Sequence, residues 1–281
     1  MATTRKTTPA KRTTAKNKPA KTKVPAKSTR KSAPGRGAAR AKEAAPIVLA
    51  IDGIAKDYGA AAALEPVTLT VTAGERLALI GHNGSGKTTL LRIVAGLLEP
   101  SAGTVTVAGA PRGSLAARAA VSYIADHPLF YDDLSLWEHL EFVARMHGVE
   151  DWEMRAMDLL GRLGLHDRAD DLPRTFSRGL RQKSAIALGF VRPFDVLLVD
   201  EPFVGLDAAG KDALLDLLAG ASEAGATLLV ATHELSFVKR AGRIVALRDG
   251  RLVHDGPVRG TDVDALVRAE DPTGEPDGRG Q

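Results

Sequence analysis

The nine residues Gly81 to Thr89, GHNGSGKTT, tolerate very few surroundings. They follow the apolar run Leu77-Ala78-Leu79-Ile80 and precede the periodic apolar residues Leu90, Leu91, Ile93 and Val94, an order that reads as strand, loop and helix. The stretch satisfies G-x-x-x-x-G-K-[ST] at Gly81, Gly86, Lys87 and Thr88. A loop of small residues opening a helix can turn successive backbone N–H groups onto a polyanion, and the helix dipole adds to the attraction. Bulky side chains would block that approach. His82, Asn83, Gly84, Ser85 and Gly86 form the cradle, Lys87 reaches the β- and γ-phosphates, and the Thr88 hydroxyl, beside Thr89, is placed to ligate Mg²⁺. Glycine makes up 28 of 281 residues. Composition alone would therefore give the pattern in on the order of one or two per hundred such chains, and the strand and helix context lowers that further. The stretch predicts a nucleoside triphosphate site.

The rest of the chain is divided by charge. The first 42 residues hold 14 of the 38 basic side chains and no acidic one, which leaves 24 basic against 34 acidic beyond them, a body of about −10. Residues 1 to 44 repeat Lys, Thr, Ala, Pro and Ser with almost nothing to bury, and are expected to be disordered. Such a tail serves as a solvated arm, or makes weak contact with anionic lipid or nucleic acid; it has no aromatic residue for base stacking. Cysteine is absent, which excludes disulfides, thiolate metal sites and a cysteine nucleophile. No run approaches the roughly 18 apolar residues of a membrane helix, and no secretory signal is expected. A membrane task would need a second chain for the span.

Ordered structure is expected from about residue 45 to 255, with a partly disordered extension over 256–281. Strands are predicted at Ile47–Ile51, Val67–Val71, Leu77–Ile80, Thr104–Gly109 and Val121–Ile124, then a helical block over about 126–175, in which Asp132 to Ser135 offers N-cap chemistry ahead of Leu136, Leu140 and Val143. Ser177 caps a helix to Val191, and the short apolar run Val196–Val199 ends in Asp200 and Glu201, as a buried parallel strand would. A helix from Ala208 to Ala219, a strand from Thr227 to Ala231, a helix near Leu235 to Arg240 and a strand from Ile244 to Leu247 complete an alternating α/β series. In such a sheet the carboxyl ends of the strands converge on the phosphate loop. Asp200 can then hold Mg²⁺, Glu201 can polarise an attacking water as general base, and His233, just past the next strand, can hydrogen-bond the γ-phosphate. The sequence His233-Glu234 does not begin a zinc-protease helix, because position 237 is Phe.

From Ile47 to Val253 these residues resemble, in this order, the nucleotide-binding subunit of bacterial ABC transporters whose permease is a separate chain. The resemblance implies a P-loop NTPase (RecA-like) α/β core with an N-terminal antiparallel β part and an inserted α-helical subdomain. It implies that Tyr58 stacks on adenine, that Gly81 to Thr89 is the Walker A loop, and that Val196 to Glu201 is Walker B. Val204 to Asp207 would be the D-loop and His233 the switch histidine. The family signature LSGGQ is represented here by Phe176-Ser177-Arg178-Gly179-Leu180. Ser177 and Gly179 are kept, while Arg178 and Leu180 depart from it. Asp126 stands where the family's Q-loop has glutamine, and an ionised aspartate accepts hydrogen bonds but donates none. It is carried forward as a metal contact beside Thr88 and Asp200, and as the hinge of the permease-facing block.

The function implied is a transport-coupled ATPase with ATP and Mg²⁺ as cofactors. Its partners would be a transmembrane permease and a second ATPase subunit, as homodimer or heterodimer, and its place the cytoplasmic face of the cell membrane. Two other classes stay open at this point. A soluble ATPase of the same family could act on nucleic acid or ribosomes through the basic tail, although only one nucleotide domain and no long coiled-coil insertion are present. A nucleotide-gated scaffold that does not hydrolyse is opposed by Lys87, Asp200, Glu201 and His233.

Overall fold

Strand β1 (Ile47–Asp57) pairs antiparallel with β2 (Ala62–Thr72), and after β3 (Arg76–Ile80) the chain enters the glycine-rich loop and helix α1 (Lys87–Val94). β4 (Ala102–Val107) returns to pair with β1, and the two-residue β5 (Ala110–Pro111) extends that sheet to the order β2-β1-β4-β5. Helix α2 (Leu115–Ala120) leads into β6 (Val121–Ile124), and the helical block follows as α3 (Leu136–Met146) and α4 (Trp152–Leu163). Then come α5 (Arg178–Phe190), β7 (Val196–Asp200), α6 (Ala208–Glu223), β8 (Thr227–Ala231), α7 (Leu235–Val238), β9 (Arg243–Arg248) and β10 (Arg251–Pro257). This computed structural model describes residues 45–59, 62–263 and 266. The expectations for the basic segment 1–44 and for most of the C-terminal extension fall outside the described residues.

The second sheet has the order β10-β9-β3-β8-β7-β6 and is parallel except for β10. Strands β3, β7, β8 and β9 are apolar on both sides because both faces are covered. Leu77, Leu79, Leu198, Leu229 and Val245 point into one core shared with α1 and the antiparallel sheet. Their neighbours Ala78, Ile80, Leu197, Val199, Leu228, Val230 and Ile244 point into the other, shared with the helices. The period of two in each strand thus joins the antiparallel layer, the parallel sheet and the helical layer.

Local chemistry sets the helix ends. Ser135 Oγ accepts from the Glu138 N–H at 3.3 Å while Glu138 Oε2 accepts from the Ser135 N–H at 2.7 Å, a reciprocal cap for α3. Gly164, at φ 66°, closes α4. Asp207 Oδ1 accepts from the Gly210 N–H at 3.0 Å and starts α6.

Several elements differ from the sequence reading, and β1 and β2 each run longer than expected. Helix α6 runs on to Glu223, because Gly220 has open space around it and the apolar face continues; the left-handed Gly225, at φ 95°, is the stop. Helix α7 ends at Val238 rather than Arg240. β10 was not anticipated, since it is an edge strand with no buried residue and so carries no apolar alternation. It is joined to β9 by Asp249 and Gly250, which both have positive φ, 49° and 79°, as an Asp-Gly hairpin requires. The short α2 was also missed. Its last carbonyls are held from outside, by the buried Arg192 guanidinium, which donates to the carbonyls of Arg118 (3.1 Å), Ala119 (2.5 Å) and Val121 (2.6 Å).

Candidate active site

Strand register decides which side chains meet. Leu79 of β3 and Asp200 of β7 are both opposite Ala231 of β8, and Ile124 of β6 is opposite Val199. The residues that follow these strand ends, Gly81, Glu201, His233 and Asp126, therefore emerge at one level, with β8 between the strand that feeds the phosphate loop and the strand that ends in Asp200.

A cleft of about 200 Å³ is lined by His82 to Thr89 together with Ala63, Asp126 and Glu201. Two of its glycines are there for space. A Cβ on Gly81 would run into the Leu247 carbonyl oxygen and Ser85 Oγ, and one on Gly86, at φ 102°, would lie 2.9 Å from the Ala63 carbonyl oxygen. The Lys87 side chain is only 6% exposed; its ammonium donates to the carbonyl of Gly81 and, at 3.2 Å, to that of His82. Glu201 Oε1 lies 3.7 Å from Lys87 Nζ and 3.1 Å from His233 Nε2. Glu201 itself has φ 43°, uncommon outside glycine, while its N–H donates to the Ala231 carbonyl at 2.9 Å. That turn carries the side chain off the strand direction and over the loop.

Asp200 is 1% exposed. Burial raises its pKa above the usual carboxylate range; a hydrogen bond from Thr88 opposes this, and the nearby Glu201 and Asp126 charges add to it. Its Oδ1 has no hydrogen-bond partner among the described residues, and Ser85 Oγ is equally buried and unpartnered. The Tyr123 hydroxyl donates to Asp200 Oδ2 at 3.5 Å, and burial beside that carboxylate pushes the tyrosine pKa up to about 12. Among the described residues no group of three or more His, Asp or Glu forms a metal cage. An orphaned carboxylate oxygen beside a threonine hydroxyl nevertheless fits Mg²⁺, which keeps waters and uses one or two carboxylates plus phosphate oxygens.

On the far side of Glu201 a second cleft of about 540 Å³ is lined by Phe203 to Leu206, Lys211 and Thr232 to Leu235. The loop carrying His233 is fixed at both ends: Glu234 N–H donates to Thr232 Oγ1 at 3.0 Å, and Lys211 Nζ donates to Glu234 Oε2 at 2.7 Å. Another cavity of about 540 Å³, lined by Val48, Leu159, Phe190, Phe194 and Leu217 among others, gathers none of these groups; the chemistry belongs at the strand ends.

Not every residue singled out in the sequence joins the cleft. Ser177 caps α5, its Oγ accepting from the Leu180 N–H at 3.3 Å, and neither it nor Gly179 lines the phosphate cleft of its own chain. Arg178 reaches that cleft only through Asp126. Tyr58 stands beyond β1, 59% exposed, with Lys56 Nζ 5.1 Å over its ring. Two supports were missed. Gly250 donates its N–H to the Ser85 carbonyl at 3.1 Å, and Asp249 Oδ1 lies 3.1 Å from His82 Nε2, so the β9–β10 turn props the phosphate loop. The Asp-Gly dipeptide was the available signal. Tyr123 gave none beyond its place in a strand.

Residues 64–204 match the family described as ABC transporter. The chain is 33% identical over 211 residues to the SkfA peptide export ATP-binding protein SkfE of Bacillus subtilis (strain 168), covering 74% of this chain and 88% of that protein. A solved ATP-binding subunit of an ABC transporter superposes with a TM-score of 0.73 at 32% identity, over 79% of this chain and 99% of the other. The dimeric post-hydrolysis state of the ATP-binding cassette MJ0796 bound to ADP and Pi superposes with a TM-score of 0.69 at 25% identity, over 76% and 100%.

Proposed function

The chain belongs to the ABC transporter family as an ATP-binding, ATP-hydrolysing subunit that powers transport, and from that premise we propose how its own residues divide the work. Backbone N–H groups of Gly81 to Gly86 and the Lys87 ammonium hold the phosphates of ATP. Thr88 and Asp200 hold Mg²⁺, which when bound offsets charge on the phosphate oxygens. Glu201 takes the proton of the attacking water, and His233 orients the γ-phosphate from the next strand end. Tyr58 receives adenine on its exposed ring.

The observation that carries this reading is the placement of Glu201 Oε1 between Lys87 Nζ, at 3.7 Å, and His233 Nε2, at 3.1 Å, above a phosphate loop in which Gly81 and Gly86 have no room for a side chain. Ser177 and Gly179 lie outside their own cleft, which supports a working unit of two cassettes, each signature segment closing on the nucleotide of the other. On the family's ground we assign the span to a permease chain and this subunit to the cytoplasmic face; no helix among the described residues is long and apolar enough to cross a membrane. The block between Asp126 and Thr175 is the segment that would meet that permease.

Glu201→Gln tests the assignment. Equilibrium ATP binding should stay within a few-fold of the parent chain, while phosphate release falls by about 10²- to 10⁴-fold, the usual worth of a positioned base. Near-parental turnover would remove Glu201 from the role.

A further inference from the structure

Two of the three positions at which this chain departs from the pattern it resembles, Asp126 and Arg178, meet in space. Asp126 follows β6 and Arg178 is the first residue of α5, 52 positions later, yet Arg178 Nη2 donates to Asp126 Oδ1 at 3.4 Å. The other oxygen, Oδ2, lies 2.8 Å from His127 Nδ1. Asp126 lines the phosphate cleft with Lys87, Thr88 and Glu201, and its charge adds to the upward push on Asp200. Asp126 and Glu201 thus share the cleft with the Lys87 ammonium, and both their charges act on the buried Asp200; like charges so placed repel. The Arg178 guanidinium supplies a second cation to that cluster from outside the cleft, its side chain 61% exposed against 27% for Asp126.

The other end of Arg178 is tied to a different part of the molecule. A Cβ on the adjacent Gly179 would lie 2.6 Å from the Gly205 carbonyl oxygen, so the start of α5 rests directly on the loop after β7. One turn on, Lys183 Nζ is 2.9 Å from Asp207 Oδ1. Arg178 is thus the bridge between the phosphate cleft and the segment formed by the start of α5 and residues 203–207. An ion pair this exposed is weak, and a small, doubly charged, hydrated cation competes for the same carboxylate.

We propose that Asp126 and Arg178 form an exchangeable pair: Asp126 gives up Arg178 when Mg²⁺·ATP occupies the cleft of the same chain, and the freed arginine is thereby released at the start of α5. Occupancy of one chain's own cleft is in this way transmitted to its own signature segment, through two residues that replace the family's glutamine and glycine together. On the reading given above, which this last step rests on, the released guanidinium is then available to the phosphates held by the second copy, for which its planar fork is suited.

The test is a double-mutant cycle on nucleotide affinity, not on turnover. It uses the full chain carrying Glu201→Gln, at protein concentrations low enough to stay monomeric, with a fluorescent ATP analogue and Mg²⁺ as the probe. If Arg178 competes for Asp126, Arg178→Gln should tighten Mg²⁺·ATP binding by roughly two- to fivefold, the factor set by release of an exposed ion pair. The same change in an Asp126→Asn background should have no effect, chelation of Mg²⁺ should abolish the gain, and Arg178→Lys, which keeps a cation on Asp126, should bind within about twofold of the parent. Weaker binding by Arg178→Gln, or an equal effect with and without the Asp126 carboxylate, would overturn the exchange. If the Glu201→Gln chain binds no Mg²⁺·ATP at all, it is the functional reading that fails.

Discussion

A single missing side chain can decide what two loops are able to do. Gly179 has ordinary helical backbone, so an alanine there would not disturb α5 itself; its methyl would instead press on the Gly205 carbonyl, a backbone atom with little freedom to yield. Gly179→Ala should therefore leave ATP binding by the single chain within about twofold while lowering turnover by about tenfold or more, because the signature segment is displaced from the loop it rests on. Parallel titration with nucleotide and a steady-state phosphate assay read the two effects separately; loss of binding in step with turnover would count against this account. Glu201 makes the complementary point. Its residue type was readable as a carboxylate after an apolar run, but the positive φ that turns it toward Lys87 and His233 was not. Ordinary strand geometry would have sent that side chain to one face of the sheet.

At the scale of the element, capping wrote itself plainly into the sequence. Ser135 and Glu138 close the start of α3 through two reciprocal bonds, and α3 carries Leu136, Leu140 and Ala144 into the core of the helical layer. Ser135→Ala should cost about 1 kcal/mol of unfolding free energy, read from urea denaturation. The Glu138 carboxyl has its pKa lowered, first by the Ser135 backbone N–H and then by the Ser135 side chain. A depressed folded-state pKa stabilises above the unfolded value and is lost as pH falls through the folded one. The difference between the parent chain and Glu138→Gln should accordingly be present at neutral pH and disappear below the carboxylate range; a difference that grows in acid would contradict the cap. Elements whose ends depend on distant groups were harder to see. Helix α2 is held at its carboxyl end by Arg192, more than seventy residues away, and β10 exists because β9 offers it an edge.

For the whole molecule, the decisive feature is a site split between what the cleft holds and what lies outside it. Lys87, Thr88, Glu201 and Asp126 share one mouth, with Asp200 buried beside Thr88, while Ser177 and Gly179 present themselves elsewhere. With Mg²⁺·ATP the Glu201→Gln chain should migrate as a dimer on a sizing column, and chelation should return it to the monomer; a monomer under both conditions would argue against the paired cassette. The sequence by itself determined the phosphate loop, the alternating α/β order, the buried strand ending in two carboxylates and the caps of α3 and α5, because each rests on neighbours within a few residues. Only the tertiary structure decided that Asp126 faces Arg178, that the Asp249-Gly250 turn props Ser85, and that Tyr123 lies against Asp200. Those contacts come from strand register and layer packing, which bring together residues tens of positions apart and leave no periodic trace along the chain.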